Sequence, residues 1–294
     1  MSKLSVIILN YNRPQFIIKD ILPKLIEYNS YIDEVVISHG KEETYFEHQK
    51  EDIDIKFSDI GFTIKHLKHW EENNAYGLTL RFVSALEAKN NNLIIMDDDI
   101  IPEKETIEFL KEKIEEDDER IYGIYGRNID DNNEYNYTNC FGVTPIILTR
   151  CLVTNKDMCK YFLDNFRIYE NEMIKNSKPY WNGEDILFSF LSIEKHGKLP
   201  KAYNLKHSNR LGNYLNVKDS ISLNNQDHLV YRKKLTKYLV EKMKIKEKIK
   251  DEKKIKYWKT QLSYFVENSL LIWVFYVFVI LVFIANVNYY IIRI

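Results

Sequence analysis

Residues 92–101, NLIIMDDDII, lead from a short apolar segment directly into three adjacent aspartates. Neighbouring carboxylates repel one another unless a cation or a network of hydrogen bonds compensates their charge. Carboxylate oxygens are ligands that Mg2+, Ca2+ and Mn2+ prefer. The run therefore predicts a buried strand that ends at a cation site. An Asp-rich loop can also begin a helix, and Pro102 followed by Glu103 fits that alternative.

Apolar strand patterns alternate with helical patterns in the first half of the chain. Strands are predicted at 4–9, 33–38, 53–57, 64–67 and 93–96, and helices at 15–28, 76–89 and 103–116. This alternation indicates a largely parallel sheet, in which ligands bind beyond the carboxyl ends of the strands. The loop NYNRP at 10–14 and the three aspartates both follow strands, so we expect them to meet in one crevice.

A second acidic segment, GED at residues 183–185, precedes a helical pattern in the second half of the chain. Residues 186–191 carry apolar side chains at helical spacing, and Gly197 fits the C-cap of the helix. Glu184 and Asp185 therefore fall in its first turn. Acids at this place can serve catalysis, or they can simply stabilise the helix dipole.

Composition and motifs argue against several classes of protein. A formal net charge of -1 gives no reason to expect a nucleic-acid partner for the whole chain. The three cysteines form no CxxC pair, which argues for a reducing compartment and against a disulfide or zinc scaffold. A nucleotidyltransferase is disfavoured because no Gly-rich phosphate-binding loop follows the first strand.

The C-terminal part of the chain changes character. Residues 226–265 are strongly basic and are predicted to form a helical linker, whose lysines would also hold anionic lipid headgroups. The apolar run that follows would span about 27 Å as a helix, close to a bilayer core of about 30 Å, so 266–292 is predicted as a transmembrane anchor rather than a core helix. Lysines before the anchor and only Arg293 after it place residues 1–225 on the cytosolic side.

Four segments together resemble glycosyltransferase family 64, the exostosin-like family of GT-A glycosyltransferases. They are VIILNYNRP (6–14), LRFVSALEAKNNNLIIMDDDI (80–100), IYGIYGRN (121–128) and NGEDILFSFLSIEKHGK (182–198). They occur in the family's order between about residue 4 and residue 210. The resemblance implies an α/β fold, a GT-A type Rossmann-like mixed sheet flanked by helices, which residues 1–225 would form. Gly183 departs from the Cys that is usual in the family.

The resemblance also implies a UDP-sugar donor and a bound Mn2+ or Mg2+. On the donor side it assigns Asn12 and Arg13 to the uracil or ribose, Arg81 to the nucleotide, Asp97 to the ribose or donor sugar, Asp98 to support of the site, and Asp99 to the metal as part of a DXD motif. His207 stands where many GT-A enzymes return a histidine to the metal, and Arg210 would contact the diphosphate. Asp185 would take the acceptor's proton or face the anomeric carbon, with Glu184 behind it.

We therefore expect a membrane-anchored, metal-dependent glycosyltransferase. The resemblance implies transfer of N-acetylglucosamine with retained anomeric configuration, although the GT-A class includes inverting enzymes. The acceptor would be a glycan, a lipid-linked glycan or a protein. The aromatic residues Tyr135, Tyr137, Tyr180 and Trp181 would either stack on it or pack the core. The alternative outside enzymes is a catalytically inactive, membrane-tethered scaffold on a transferase fold.

Overall fold

The computed structural model describes residues 3–11, 13–41, 43–58, 60–175, 178–179, 182–209 and 228–250. The chain divides into two compact units, Met1–Lys246 and Glu247–Ile294. Every strand and helix named below lies in the first unit.

Fifteen strands are described, most of them short. In chain order they are β1 (Leu4–Asn10), β2 (Ile32–His39), β3 (Thr63–Lys68), β4 (Asn92–Met96), β5 (Ile100–Pro102), β6 (Tyr122–Gly123), β7 (Gly126–Ile129), β8 (Tyr135–Cys140), β9 (Gly142–Val143), β10 (Ile146–Ile147), β11 (Cys151–Asn155), β12 (Ile174–Lys175), β13 (Lys178–Pro179), β14 (Lys201–Ala202) and β15 (His207–Asn209). Eight of them form the main sheet in the order β3-β2-β1-β4-β11-β6-β14-β9. Three small sheets, β10-β7-β8, β12-β13 and β15-β5, account for the others.

Eight of the nine helices named here lie between strands in the chain, and the ninth follows the last strand. They are α1 (Pro14–Phe16), α2 (Leu22–Ile26), α3 (Glu43–Lys56), α4 (Asn73–Tyr76), α5 (Leu80–Leu86), α6 (Lys104–Glu116), α7 (Lys156–Asn165), α8 (Glu184–His196) and α9 (His228–Lys242). A π-helical stretch, Ile17–Ile21, joins α1 to α2. Two 3-10 helices, Gly77–Thr79 and Phe166–Met173, precede α5 and follow α7.

The parallel part of the main sheet brings its strand ends to one edge. β1 pairs in parallel with β2 and with β4, and Ile8 is level with Met96. β1 therefore ends at Asn10 beside the point where β4 gives way to Asp97. All apolar residues of β1 and β4 except the half-buried Leu9 are buried, as expected for strands covered on both faces. The sequence prediction that the NYNRP loop and the aspartates share one edge agrees with this register.

β11 makes the sheet mixed, because it runs antiparallel to β4. Its register places Cys151 opposite Met96. Arg150, the residue before Cys151, therefore lies level with Asp97. The backbone N–H of Asp97 donates a hydrogen bond of 3.0 Å to the carbonyl of Arg150. A mixed sheet flanked by helices was the expected fold class, and the sheet order confirms it.

An aromatic cluster joins α8 to α5 and α7. The ring centroid of Phe82 on α5 lies 4.4 Å from that of Phe162 on α7 and 4.4 Å from that of Phe188 on α8. All three side chains are fully buried. Burial of one such ring contributes about 1.5–3 kcal/mol. The cluster therefore ties α8, which begins with Glu184 and Asp185, to the helix that carries Arg81.

One strand prediction is wrong. Residues 53–57 alternate apolar and polar side chains, but residues up to Lys56 belong to α3. Ile53 is buried and Ile55 is 72% exposed. A step of two residues turns a helix by about 200°, so the two isoleucines face opposite sides, whereas a strand would have put them on one face.

The predicted anchor falls on residues that the structure does not describe. Within the described ranges, no helix is long and apolar enough to cross a membrane. The segment 266–292 lies outside those ranges, and of the basic linker 226–265 only residues 228–250 lie within them. The helix α9 belongs to the first compact unit, which extends beyond residue 225 to Lys246.

Candidate functional site

The aspartate run is held by arginines from two other elements. Arg13, just before α1, donates from Nε to Asp98 Oδ2 at 3.2 Å and from Nη1 to Asp99 Oδ2 at 3.0 Å. Its Nη2 forms an ion pair with the other Asp98 oxygen. Because β1 and β4 end side by side, the loop after β1 can deliver this guanidinium directly to the aspartates. Arg13 therefore contacts the acids, and its predicted contact with a nucleotide stays a prediction.

Arg81 connects the aspartate run to the second acidic segment. This buried guanidinium on α5 donates from Nη1 to Asp97 Oδ1 at 3.0 Å, and its Nη2 lies 3.8 Å from Glu184 Oε1. It also donates to the backbone carbonyls of Leu78 and Thr149, at 3.0 and 3.2 Å. The two acidic segments, which are far apart in the sequence, thus share one arginine and meet in one site.

Burial and mutual repulsion weaken the acidity of the aspartates. Burial raises the pKa of Asp98 to about 7, although Arg13 opposes the shift. Burial and the neighbouring Asp97 raise the pKa of Asp99. Both shifts mean that the ionised run is short of compensating positive charge. A cation bound here would restore the ordinary acidity of these groups.

Two carboxylate oxygens are available for such a cation. Asp99 Oδ1 is buried and has no hydrogen-bond partner in the described part of the chain. Arg81 donates to Oδ1 of Asp97, which leaves Asp97 Oδ2 as the second oxygen. Two hard oxygens of this kind fit Mn2+ or Mg2+. Among the residues that the structure describes, no three or more His, Cys, Asp or Glu side chains form a metal-holding group, so donor phosphates or water would complete the coordination.

His207 is bonded through both ring nitrogens. Its Nδ1 lies 2.9 Å from the carbonyl of Leu205, which requires an N–H on that nitrogen. Its Nε2 lies 2.5 Å from the hydroxyl of Tyr125, and it then accepts a hydrogen bond from that hydroxyl. To bind a metal through Nε2, the histidine would have to release Tyr125. Its role as a ligand therefore remains a prediction.

Glu184 is buried at the start of α8. Its Oε1 accepts a hydrogen bond of 3.1 Å from the Thr149 hydroxyl, and its Oε2 accepts one of 3.2 Å from the backbone N–H of Gly183. Burial and the adjacent Asp185 raise the pKa of this carboxyl. The position in the first helical turn agrees with the sequence prediction.

Asp185 faces an arginine that the sequence analysis did not single out. Arg232 on α9 donates from Nη2 to Asp185 Oδ2 at 2.8 Å and from Nη1 to Asn182 Oδ1 at 3.1 Å. Its guanidinium stacks 4.4 Å from the ring centroid of Tyr135. Arg232 belongs to the lysine-rich stretch that was predicted as a linker, and no local motif distinguishes it there. Only the packing of α9 shows its partner.

Gly183 explains how α9 can lie so close to this turn. Its φ is +141°, a region that side-chain-bearing residues rarely adopt, and a Cβ added to it would lie 2.3 Å from Leu235 Cδ2. A side chain at this position would therefore require both a rarely adopted φ and a shift of the Leu235 side chain.

Several predicted residues remain unassigned. Asn12, Arg210, Tyr180 and Trp181 lie outside the described residues. Tyr135 is buried beneath Arg232, so it packs the site and offers no stacking face to an acceptor. Tyr137 is 57% exposed, with the guanidinium of Arg127 5.3 Å from its ring centroid. Of the four aromatic residues, only Tyr137 thus lies within the described ranges with an exposed ring.

Comparison with known proteins gives a family and a set of similar solved structures. The family model described as "Glycosyl transferase family 64 domain" matches residues 4–257. No curated protein matches the chain. The mannosyltransferase PcManGT from Pyrobaculum calidifontis, solved in complex with GDP-Man and Mn2+, is similar with a TM-score of 0.46 and 14% identity. That match covers 68% of this chain and 54% of the mannosyltransferase, so the chain spans about half of that protein's length.

Proposed function

The chain belongs to glycosyltransferase family 64, and we propose that it transfers a sugar from a UDP-sugar donor to a hydroxyl group of its acceptor with the help of Mn2+ or Mg2+. The observation that carries the proposal is the position of Arg81 between Asp97 and Glu184. It ties an acidic run suited to a diphosphate-bound metal to a second acidic segment suited to the acceptor. Donor and acceptor chemistry would then meet in one crevice, with a GT-A type arrangement.

On the donor side, the metal would bind two carboxylate oxygens. Asp99 Oδ1 and Asp97 Oδ2 would hold it, since the other oxygen of each carboxylate already accepts from an arginine. When bound, the metal stabilises the negative charge that develops on the departing nucleoside diphosphate. Arg13 and Arg81 position the carboxylates. Asn12 and Arg210 are proposed to contact the uridine and the diphosphate.

On the acceptor side, Asp185 is the proposed catalytic carboxylate. Arg232 donates a hydrogen bond to its Oδ2, and the backbone N–H of Ile186 donates to Oδ1 at 2.9 Å. An ionised carboxylate can accept the acceptor's proton in an inverting reaction, or stabilise positive charge at the anomeric carbon in a retaining one. The family resemblance favours retention and N-acetylglucosamine, and a glycan, lipid-linked glycan or protein as acceptor.

The reaction would take place at the cytosolic side of a membrane. Residues 1–225 with α9 would form the catalytic domain, the rest of 226–265 would continue as a basic helical linker, and 266–292 would anchor the chain in a membrane with the catalytic domain facing the cytosol. These assignments rest on the apolar and lysine-rich patterns of the C-terminal sequence.

A nucleotide-sugar turnover assay tests the function. The purified chain is incubated with UDP-N-acetylglucosamine, other UDP-sugars and GDP-mannose, with and without Mn2+, and release of the nucleoside diphosphate is measured. We expect metal-dependent UDP release that falls at least about 100-fold in Asp185→Asn, the size typical for loss of a general base or a charge-stabilising group. Asp164→Asn is the matched control, because this exposed aspartate on α7 pairs with Lys160 on the same helix.

The outcomes separate the alternatives. Release of GDP alone would replace the uridine donor with a guanosine donor. Formation of UTP and a sugar 1-phosphate from a UDP-sugar when pyrophosphate is added would indicate the nucleotidyltransferase instead. Nucleotide binding that raises the melting temperature without any turnover would indicate the inactive scaffold. Full activity of Asp185→Asn would remove that residue from the mechanism.

A further inference from the structure

Arg150 lies across the two carboxylate oxygens that the proposed metal would use. Its Nε is 4.0 Å from Asp97 Oδ2, and its Nη2 is 4.0 Å from Asp99 Oδ1. The opposite oxygen of Asp97 accepts from Arg81 at 3.0 Å. The opposite oxygen of Asp99 accepts from Arg13, also at 3.0 Å. Each aspartate therefore turns one oxygen to a tightly bonded arginine and the other toward Arg150.

The backbone and an aromatic ring hold Arg150 in this place, with no hydrogen bond to the acids. A separation of 4.0 Å is too long for a hydrogen bond. The carbonyl of Arg150 accepts from the backbone N–H of Asp97, and its guanidinium stacks 4.5 Å from the ring centroid of Tyr125. The side chain is 27% exposed. The guanidinium can therefore turn away from both aspartates without breaking a hydrogen bond to either of them.

A guanidinium at this point competes with a divalent ion. Arginine keeps its charge at every pH at which the protein is folded. An ion between Asp97 Oδ2 and Asp99 Oδ1 would lie only a few ångströms from Arg150, and like charges this close repel strongly at a partly buried site. A nucleoside diphosphate changes the balance, because it brings further negative charge and phosphate oxygens that a guanidinium fork binds well.

We propose that Arg150 is an internal counter-cation for the Asp97–Asp99 pair, which keeps divalent metal binding weak until a nucleoside diphosphate draws its guanidinium away. This inference rests on the proposed metal-dependent donor site and assigns it a positioning residue. Arg150 couples the two ligands, since the diphosphate relieves the repulsion that the metal would meet. Coupling of binding free energies is reciprocal, so the metal strengthens nucleotide binding by the same factor.

Direct measurement of Mn2+ binding tests the inference without any turnover. The full-length chain is titrated with Mn2+ by calorimetry, alone and saturated with UDP, as wild type, Arg150→Gln and Arg150→Lys. In Arg150→Gln we expect Mn2+ to bind on the order of 10-fold more tightly in the absence of UDP, because one nearby positive charge is gone. The factor by which UDP strengthens Mn2+ binding should shrink about as much. Arg150→Lys, which keeps the charge, should resemble wild type.

The control and the contrary outcomes are distinct. Arg167→Gln removes an arginine that likewise stacks on aromatic rings, those of Tyr76 and Phe166, and should leave both affinities unchanged. If wild type binds Mn2+ with UDP, and Arg150→Gln shows the same affinity for Mn2+ alone as wild type, the role of Arg150 is overturned and the donor site stands. If no variant binds Mn2+ with or without UDP, the metal-dependent donor site is overturned, and the inference with it.

Discussion

Charge compensation governs the residues of the crevice. The carboxylates are those of Asp97, Asp98, Asp99, Glu184 and Asp185, and the guanidiniums that face them are those of Arg13, Arg81, Arg150 and Arg232. Among the residues that the structure describes, five carboxylates face four guanidiniums, which leaves one negative charge uncompensated if all groups ionise. Burial, together with that shortage, raises the pKa values of Asp98, Asp99 and Glu184. A bound cation would supply the missing positive charge.

The Asp185–Arg232 pair gives a stability prediction. Both side chains are nearly fully buried, so Arg232→Gln leaves a buried carboxylate without its charged partner. We expect the free energy of unfolding, measured with urea, to fall by about 3–5 kcal/mol. In Arg232→Gln combined with Asp185→Asn the loss should be smaller than the sum of the two single losses. Additive losses would mean that the pair does not interact.

The two acidic segments could be predicted from sequence, and two of their arginines could not. DDD and GED each carry a local signature, a strand end or a helix start rich in acid. Arg150 stands between two short apolar runs and reaches the aspartates only through the pairing of β11 with β4. Arg232 reaches Asp185 only because α9 folds back on α8. Both contacts depend on register and packing between distant segments, which a single sequence does not display.

At the scale of the elements, periodicity identified the strands β1 to β4 and the helices α5, α6 and α8. Long apolar runs such as β1 and β4 bury both faces, so their strand character is plain in the sequence. α3 was missed because its last turn alternates apolar and polar residues as a strand does. The antiparallel insertion of β11 into the sheet could not be foreseen, since nothing local in Cys151–Asn155 specifies its direction.

A histidine network at the edge formed by β2 and β3 predicts a pH effect. Burial and the neighbouring His66 lower the pKa of His39 to about 3. The folded state therefore binds fewer protons than the unfolded state between about pH 6.5 and pH 3, and stability is lost as pH falls through that window. From pH 7.5 to 5.5 this one histidine costs about 1.4 kcal/mol of unfolding free energy.

Replacement of the histidine tests this assignment. In His39→Gln, the loss of unfolding free energy between pH 7.5 and 5.5 should be smaller than in wild type by that amount. His66 and His69, whose pKa values burial also lowers, would contribute to the acid sensitivity that remains. The control is His48→Gln, because His48 is exposed. An unchanged pH dependence in His39→Gln would contradict the assignment.

The first compact unit includes the helix α9, which follows the boundary predicted at residue 225. The first compact unit extends to Lys246, and the family match extends to residue 257. α9 contributes Arg232 to the site, and its Leu235 covers Gly183. Removal of α9 would expose the buried start of α8 and leave Asp185 without its partner.

Two truncations test this view of the molecule. A chain ending at residue 262 should fold cooperatively and release UDP as the full-length chain does. A chain ending at residue 225 should have lost most of its activity and several kcal/mol of stability, since it lacks a buried charged partner and the apolar cover of α8. Circular dichroism melting and the turnover assay measure both. Equal behaviour of the two truncations would show that α9 is dispensable.

The most direct test of the metal-dependent donor site is calorimetric binding of UDP to the full-length wild-type chain and to Asp99→Ala, each with and without Mn2+. We expect Mn2+ to strengthen UDP binding to wild type by about 10-fold or more. This strengthening should disappear in Asp99→Ala, which lacks the buried oxygen left for the ion. If Asp99→Ala binds UDP with undiminished dependence on Mn2+, Asp99 does not hold the metal of the donor site.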